Sequence, residues 1–199
     1  MVRLRKGIFF SFVRHYPTTE IEKLINVTPS STFPDRGNAL YVFDPRNDFA
    51  SGSQTNWISK SIENSSIMVQ FLRDKLTLSS YSFRVRTDLD SNFPKEWVLE
   101  GSNDMEEWFI LHHKERNDDF LSKGKVGTFK CVSGPSFSYF KITQIGENHH
   151  VEDIFKYILG FNKIEFYGKL DISFADLTCK SCKKSFPYKY FLYVFVLSS

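Results

Sequence analysis

Arg84 and Arg86 stand two residues apart in an alternating stretch, so both guanidinium groups fall on one side of it. A guanidinium can fork onto a carboxylate or onto sugar hydroxyls, and aromatic faces stack on sugar rings. The competing reading for this pair is a solvated strand face. Cys179-Lys180-Ser181-Cys182 supplies half of a zinc site, but a closed site takes four ligands, and no second such pair or spaced His pair follows it. His112-His113 and His149-His150 are adjacent pairs, which point to opposite sides when on strands. A redox role for the cysteines lacks its β-α-β setting. No Ser-His-Asp context, phosphate loop or zinc-protease helix is present, and acid pairs such as Asp118-Asp119 fall in a stretch that reads as solvated loop. These residues predict a chain that binds and is not an enzyme.

The elements that must position such residues are extended. Trp97 and Leu99 alternate with Glu96, Val98 and Glu100, the period of a strand with one face on a core. Gly101 to Asp104 then form a turn in which Asn103 and Asp104 can bond their own backbone, and apolar residues resume at Trp108 to Leu111, predicting a β-hairpin. Further strands are predicted at Ser66–Phe71, with Ile67, Val69 and Phe71 inward, and over Leu76 to Asp88. Others follow at Thr128–Val132, Tyr139–Thr143 and Ile164–Gly168. Ala39–Phe43 is a short strand or a helical turn, and Asn117–Gly127 is a surface loop. Short strands separated by turn residues describe an all-β sandwich or barrel.

Composition agrees. The chain of 199 residues carries 21 Phe, 9 Tyr and 3 Trp, enough for one aromatic core with a short appendage. Its net charge of +3 is too small for a broad nucleic-acid footprint, and no stretch reaches the ~20 apolar residues of a membrane helix. Three cysteines, an odd number with no pair spanning the body, predict a reducing, cytoplasmic setting. The alternative is secretion, because Gly7–Val13 after Arg3, Arg5 and Lys6 imitates a signal peptide, though without a clean cleavage site. The predicted organisation is a leader over 1–24, with a helical turn or two near Thr18–Leu24, a β-sandwich over 25–170, and a tail over 171–199. That tail holds the cysteine pair and the aromatic run Tyr188–Leu197, for which no account is preferred.

The hairpin wording W-x-L-E-G-S-N-D-x-x-x-W, from Trp97 to Trp108, resembles the centre of discoidin-like domains, the coagulation factor V/VIII type C (F5/8) family of the galactose-binding-like superfamily. Asn56-Trp57-Ile58 ahead of Ser66–Phe71, Tyr139–Asn148, and Ile164–Leu170 are similar to that family's other signature stretches, in the same order. The nearest flavour is its intracellular branch, which accompanies BTB or ankyrin-type partners, often in protozoa; the terminal cysteine pair of extracellular members is missing. The resemblance implies an antiparallel jelly roll whose ligand contacts come from loops at one end. Phe49 and Trp57, then Asp88, Asn92 and Phe93, then Asn148, His149 and His150 are the implied contacts, with Arg84 and Arg86 leading towards the second group. For Trp57 a core position is the competing reading. Related carbohydrate-binding modules hold a structural calcium ion with an early loop acid, loop carbonyls and a last-strand glutamate, and Asp48 and Glu165 occupy such positions. The competing reading is a turn cap and an ordinary strand acid, with no cofactor. The function expected is a non-catalytic recognition module, foremost for a protein partner, alternatively for carbohydrate, and less so as the accessory domain of an enzyme.

Overall fold

The computed structural model describes residues 6–15, 20–46 and 55–171. Among the described residues one α-helix, α1 (Ile8–His15), precedes nine strands. These are β1 (Ile25–Pro29), β2 (Trp57–Ile58), β3 (Ser66–Phe71), β4 (Lys75–Val85), β5 (Trp97–Ser102), β6 (Phe109–Lys114), β7 (Val126–Lys130), β8 (Tyr139–Gln144) and β9 (Gly160–Asp171). A five-stranded sheet runs β1-β3-β8-β5-β6 and a four-stranded sheet β2-β9-β4-β7. Every pairing is antiparallel. The two sheets form the expected β-sandwich.

The alternating patterns place the core. Ile67, Val69 and Phe71 of β3 are buried, as are Trp97 and Leu99 of β5 and Phe140 and Ile142 of β8. From the other sheet come Tyr81, Phe83, Val85, Ile164 and Phe166. Phe83 is central, with ring centroids 4.8 Å from Phe161 and 5.2 Å from both Trp97 and Phe120. Tilted and edge-on contacts of this kind add ~1 kcal/mol each beyond area burial. Phe120 corrects the surface-loop expectation for Asn117–Gly127: the loop is polar in composition, yet it drives one aromatic anchor and a buried Asn117 inward.

The hairpin turns as its residues dictate. Asp104 Oδ1 accepts from the N–H groups of Glu106 (2.9 Å) and Glu107 (3.0 Å). Asn103 acts differently from expectation, accepting from Ser138 N–H and donating to Ser136 carbonyl across the sheet end. Ala39–Phe43 forms a 3-10 turn in which the Leu40 N–H, free of the turn's own bonds, is capped by Asn38 Oδ1 at 2.9 Å.

The leader expectation needs amendment. The apolar run that imitates a signal sequence is α1, and Ile8, Phe9 and Phe12 on its inner face join the sandwich core. Phe9 stacks on Phe71 at 5.9 Å and meets Phe43 edge-on at 5.1 Å. The N-terminal end of α1 reaches β9 so closely that a Cβ at Gly7 would collide with the Phe166 carbonyl. β2 pairs with β9 only through Trp57 and Ile58, and α1 and the 3-10 turn also pack against β9. The helical turns expected near Thr18–Leu24 are in part outside the described residues; a 3-10 turn spans Ile21–Lys23. The tail after Asp171, with Cys179, Cys182 and the aromatic run, lies outside them altogether.

Candidate ligand-binding site

Strand directions bring four connections to one end of the sandwich, those between β2 and β3, β4 and β5, β6 and β7, and β8 and β9, and β1 finishes at the same end. Arg86, one residue beyond β4, organises this end. Its Nε and Nη2 each donate at 2.9 Å to the two oxygens of Asp88, and Nη1 donates at 2.9 Å to Asn92 Oδ1. Asp88 Oδ2 also accepts from Arg36 Nη1 at 2.7 Å. Burial raises the Asp88 pKa, but the Arg86 bonds and the charges of Arg86 and Arg36 outweigh it, holding the carboxyl below its ordinary value. Arg86 itself is only 3% exposed, whereas the Arg36 and Asp88 side chains keep 21% and 12%. The open edge of the cluster is therefore the Arg36–Asp88 pair.

The other loops are tied to this cluster by amides. Asn92, at a left-handed φ of 58°, donates to the Phe155 carbonyl at 3.1 Å, and Asn148 donates to the same carbonyl at 2.8 Å and to that of Ile158 at 2.9 Å. Asn tolerates the left-handed region better than most residues. His149 N–H donates to Phe93 carbonyl at 3.2 Å, while its Nε2 lies 2.5 Å from Asn117 carbonyl. His150 meets the half-buried Phe155 ring edge-on at 5.1 Å.

The structure thus brings Arg86, Asp88, Asn92, Asn148 and His149 together, but several of them hold the loops and leave little surface. Trp57 is fully buried, with Nε1 bonded to Thr32 Oγ1 at 3.2 Å and its ring stacked beside Phe161, as the core reading has it. Phe93 is also buried. Arg84 corrects the solvated-face reading: it is 1% exposed and donates from Nε to Asn162 Oδ1 at 2.6 Å. Its side of the sheet is covered, which alternation alone does not reveal. Phe49 and Asp48 lie outside the described residues. Sequence reasoning missed Arg36 and Phe155, whose partners are 52 residues away and on a neighbouring loop. Asp35-Arg36-Gly37 carries a turn signal but nothing that announces Asp88.

Glu165 does not fit a calcium ligand. Its Oε1 accepts from the N–H groups of Phe9 (2.9 Å) and Phe166 (3.1 Å), and Oε2 from Phe10 (3.2 Å), so donors surround it where a cation would need further oxygens. Among the described residues no group of three His, Cys, Asp or Glu side chains is placed to hold a metal ion. Burial pushes the Cys131 thiol up to about 12, which leaves it without thiolate reactivity at neutral pH. No helix among the described residues is long and apolar enough to cross a membrane.

No family model and no curated protein matches this chain. Solved structures do. A family 32 carbohydrate-binding module from Clostridium perfringens, solved with GalNAc-β-1,3-galactose, is 15% identical with a TM-score of 0.55, covering 72% of this chain and 95% of its own. The lectin domain of lectinolysin, solved with Lewis B antigen, is 13% identical with a TM-score of 0.56, covering 72% and 92%. Allantoicase from Saccharomyces cerevisiae is 16% identical with a TM-score of 0.54 and covers 72% of this chain and 40% of its own, so the same sandwich also sits within an enzyme. At such identities the likeness is one of fold. The chain shares the antiparallel two-sheet sandwich of these domains.

Proposed function

We propose that this chain is a non-catalytic carbohydrate-recognition module whose ligand seats on the loop end, against the exposed edge of the Arg36–Asp88–Arg86 cluster. One observation supports this above the rest: whole domains that share the sandwich, matched over more than nine-tenths of their own length, were solved with galactose-containing glycans. The loop-end chemistry suits neutral sugars. A carboxylate fixed by two guanidinium groups accepts from sugar hydroxyls, Arg36 donates to them, and Phe155 with His150 offers an apolar edge for a ring face. This reading displaces protein interaction as the first choice, because the fold likenesses run to carbohydrate binders.

Isothermal titration with galactose- and N-acetylgalactosamine-terminated oligosaccharides, preceded by a glycan array, tests it. Wild-type protein should bind in the micromolar to millimolar range, and R36A or D88N should weaken binding at least ~10-fold, the cost of one charge-assisted bond. An array without a hit, or variants that bind as wild type does, would sink the proposal. R36A is the cleaner variant, since Arg36 is the more exposed partner.

A further inference from the structure

The connection from β8 to β9 folds around Asn148, whose Oδ1 accepts from His150 N–H at 2.7 Å and whose own N–H donates to the Lys156 carbonyl at 2.7 Å. Three links then run outward from a titratable ring. His150 Nδ1 accepts from Glu152 N–H at 3.0 Å. The Glu152 carbonyl accepts from Phe155 N–H at 3.1 Å, which forms the 3-10 turn Asp153–Phe155. The Phe155 carbonyl in turn holds Asn92 and Asn148, and its ring meets that of His150. The first link needs a lone pair on Nδ1. Imidazole is the side chain that ordinarily changes charge between about pH 5 and 8, and the imidazolium donates from both nitrogens. Proton uptake at Nδ1 therefore sets N–H against N–H. His149 differs, because its Nε2 faces the Asn117 carbonyl, to which a protonated ring still donates.

We propose that His150 is a pH latch on the loop end: unprotonated, it holds the 152–155 turn and with it the Phe155 edge; protonated, it lets go, and affinity for sugar falls. This rests on the carbohydrate reading above. The charged groups on the elements packed around this connection are few. Within it, Lys156 bridges Asp153 (2.8 Å) and Glu147 (3.2 Å), and Glu152 is exposed. The β4–β5 connection brings Arg86 and Asp88, joined by Arg36, and places Glu96 against Gly146. The β6–β7 connection brings the Arg116–Asp118 pair (3.0 Å), and the β2–β3 connection brings Glu63, whose charge acts on Tyr157. These charges set the pH at which the ring takes its proton, not the loss of an acceptor that follows. Asp88, held below its ordinary value, stays ionised throughout.

Amide NMR of the full chain, titrated from about pH 7.5 to 5, tests it without any ligand. As the His150 ring takes its proton, the Glu152 amide and the side-chain amides of Asn92 and Asn148 should shift with the same midpoint. In H150N the Asn oxygen can accept from the N–H two residues on, as in an Asx-turn, and the Glu152 amide should stay in place. Isothermal titration with a galactose-terminated oligosaccharide at the two limits gives the second readout. Wild-type affinity should fall about 3-fold or more on acidification, the scale of one exposed hydrogen bond, whereas H150N, from whatever affinity it starts, should change less than about 1.5-fold. Glu165, whose pKa of about 7 lies in the same range, is common to both proteins and cancels. A Glu152 amide that stays put while the ring titrates would overturn the latch, as would H150N weakening in step with the wild type. Should H150N fail to fold, the wild-type amide titration decides. Absence of sugar binding at both limits would overturn the carbohydrate reading, and the amide titration would then decide the latch by itself.

Discussion

Glu165 shows how a single carboxyl reports on packing. Burial raises its pKa to about 7, against three backbone N–H bonds and the nearby charge of Lys163, all of which favour the ionised form. An acid whose folded value exceeds the unfolded one holds its proton longer in the native state. Its stabilising contribution is therefore complete below the ordinary value of 4.5 and lost as pH climbs through 7. Relative to E165Q, the wild type should lose about 3 kcal/mol between those limits, read from urea unfolding at stepped pH. A flat difference would refute the assignment. Tyr81 carries the second residue-scale prediction. Its hydroxyl accepts from Trp97 Nε1 at 2.6 Å and lies 2.8 Å from His112 Nδ1, and Tyr81→Phe strands both nitrogens. A loss of about 1–3 kcal/mol is expected in denaturant melts, with altered Trp97 fluorescence. Neither pairing was legible beforehand. Period-two alternation tells which side of a strand a residue takes, not what stands opposite or whether another layer covers that side. Arg84 shows the same limit.

Among elements, α1 matters most. It docks its first turn on β9 at Glu165 and Phe166, and Phe9 touches Phe43, Phe71 and Phe166 from both sheets and the turn. Phe9→Ala should cost about 3–5 kcal/mol in denaturant unfolding, the range for a buried aromatic truncated to a methyl. Half-buried Phe10→Ala, by contrast, should cost clearly less than Phe9→Ala. Equal effects would mean that the helix is not docked as described. The sequence displays Ile8, Phe9 and Phe12 at helical spacing, but a short apolar run after basic residues reads equally as a targeting segment. Its packing into the core depends on partners such as Phe71 and Phe166 that only the assembled sheets bring to it. The hairpin was readable because its determinants are local: Trp97 and Leu99 alternate, and Ser102 and Asp104 bond within five residues.

At the scale of the whole molecule, the sandwich has two unlike ends. At one, polar loops converge on Arg86, Asn92 and Asn148; at the other lie the connections between β3 and β4, β5 and β6, and β7 and β8. The all-β class and the gathering of loops were legible from strand number and order, since antiparallel strands return connections to fixed ends. Which loop residues remain accessible was not, because amides and guanidinium groups serve both as ligand contacts and as buried struts. This arrangement predicts that R86A, unlike R36A, lowers stability by roughly 2–4 kcal/mol, since Asp88 and Asn92 lose their buried partner. Chemical unfolding of the two variants side by side checks this, and equal losses would contradict it.

One carbonyl, that of Phe155, is shared by Asn92 and Asn148 from different loops, so the crown of this domain behaves as a single plate. A graft that lengthens either connection would shift its neighbour as well. Drift towards a new specificity would then be confined to tips that serve no strut, such as Leu89, Leu121 and the 90% exposed Val151. Libraries randomised there should retain folded members far more often than libraries built at Asn92 or Asn148.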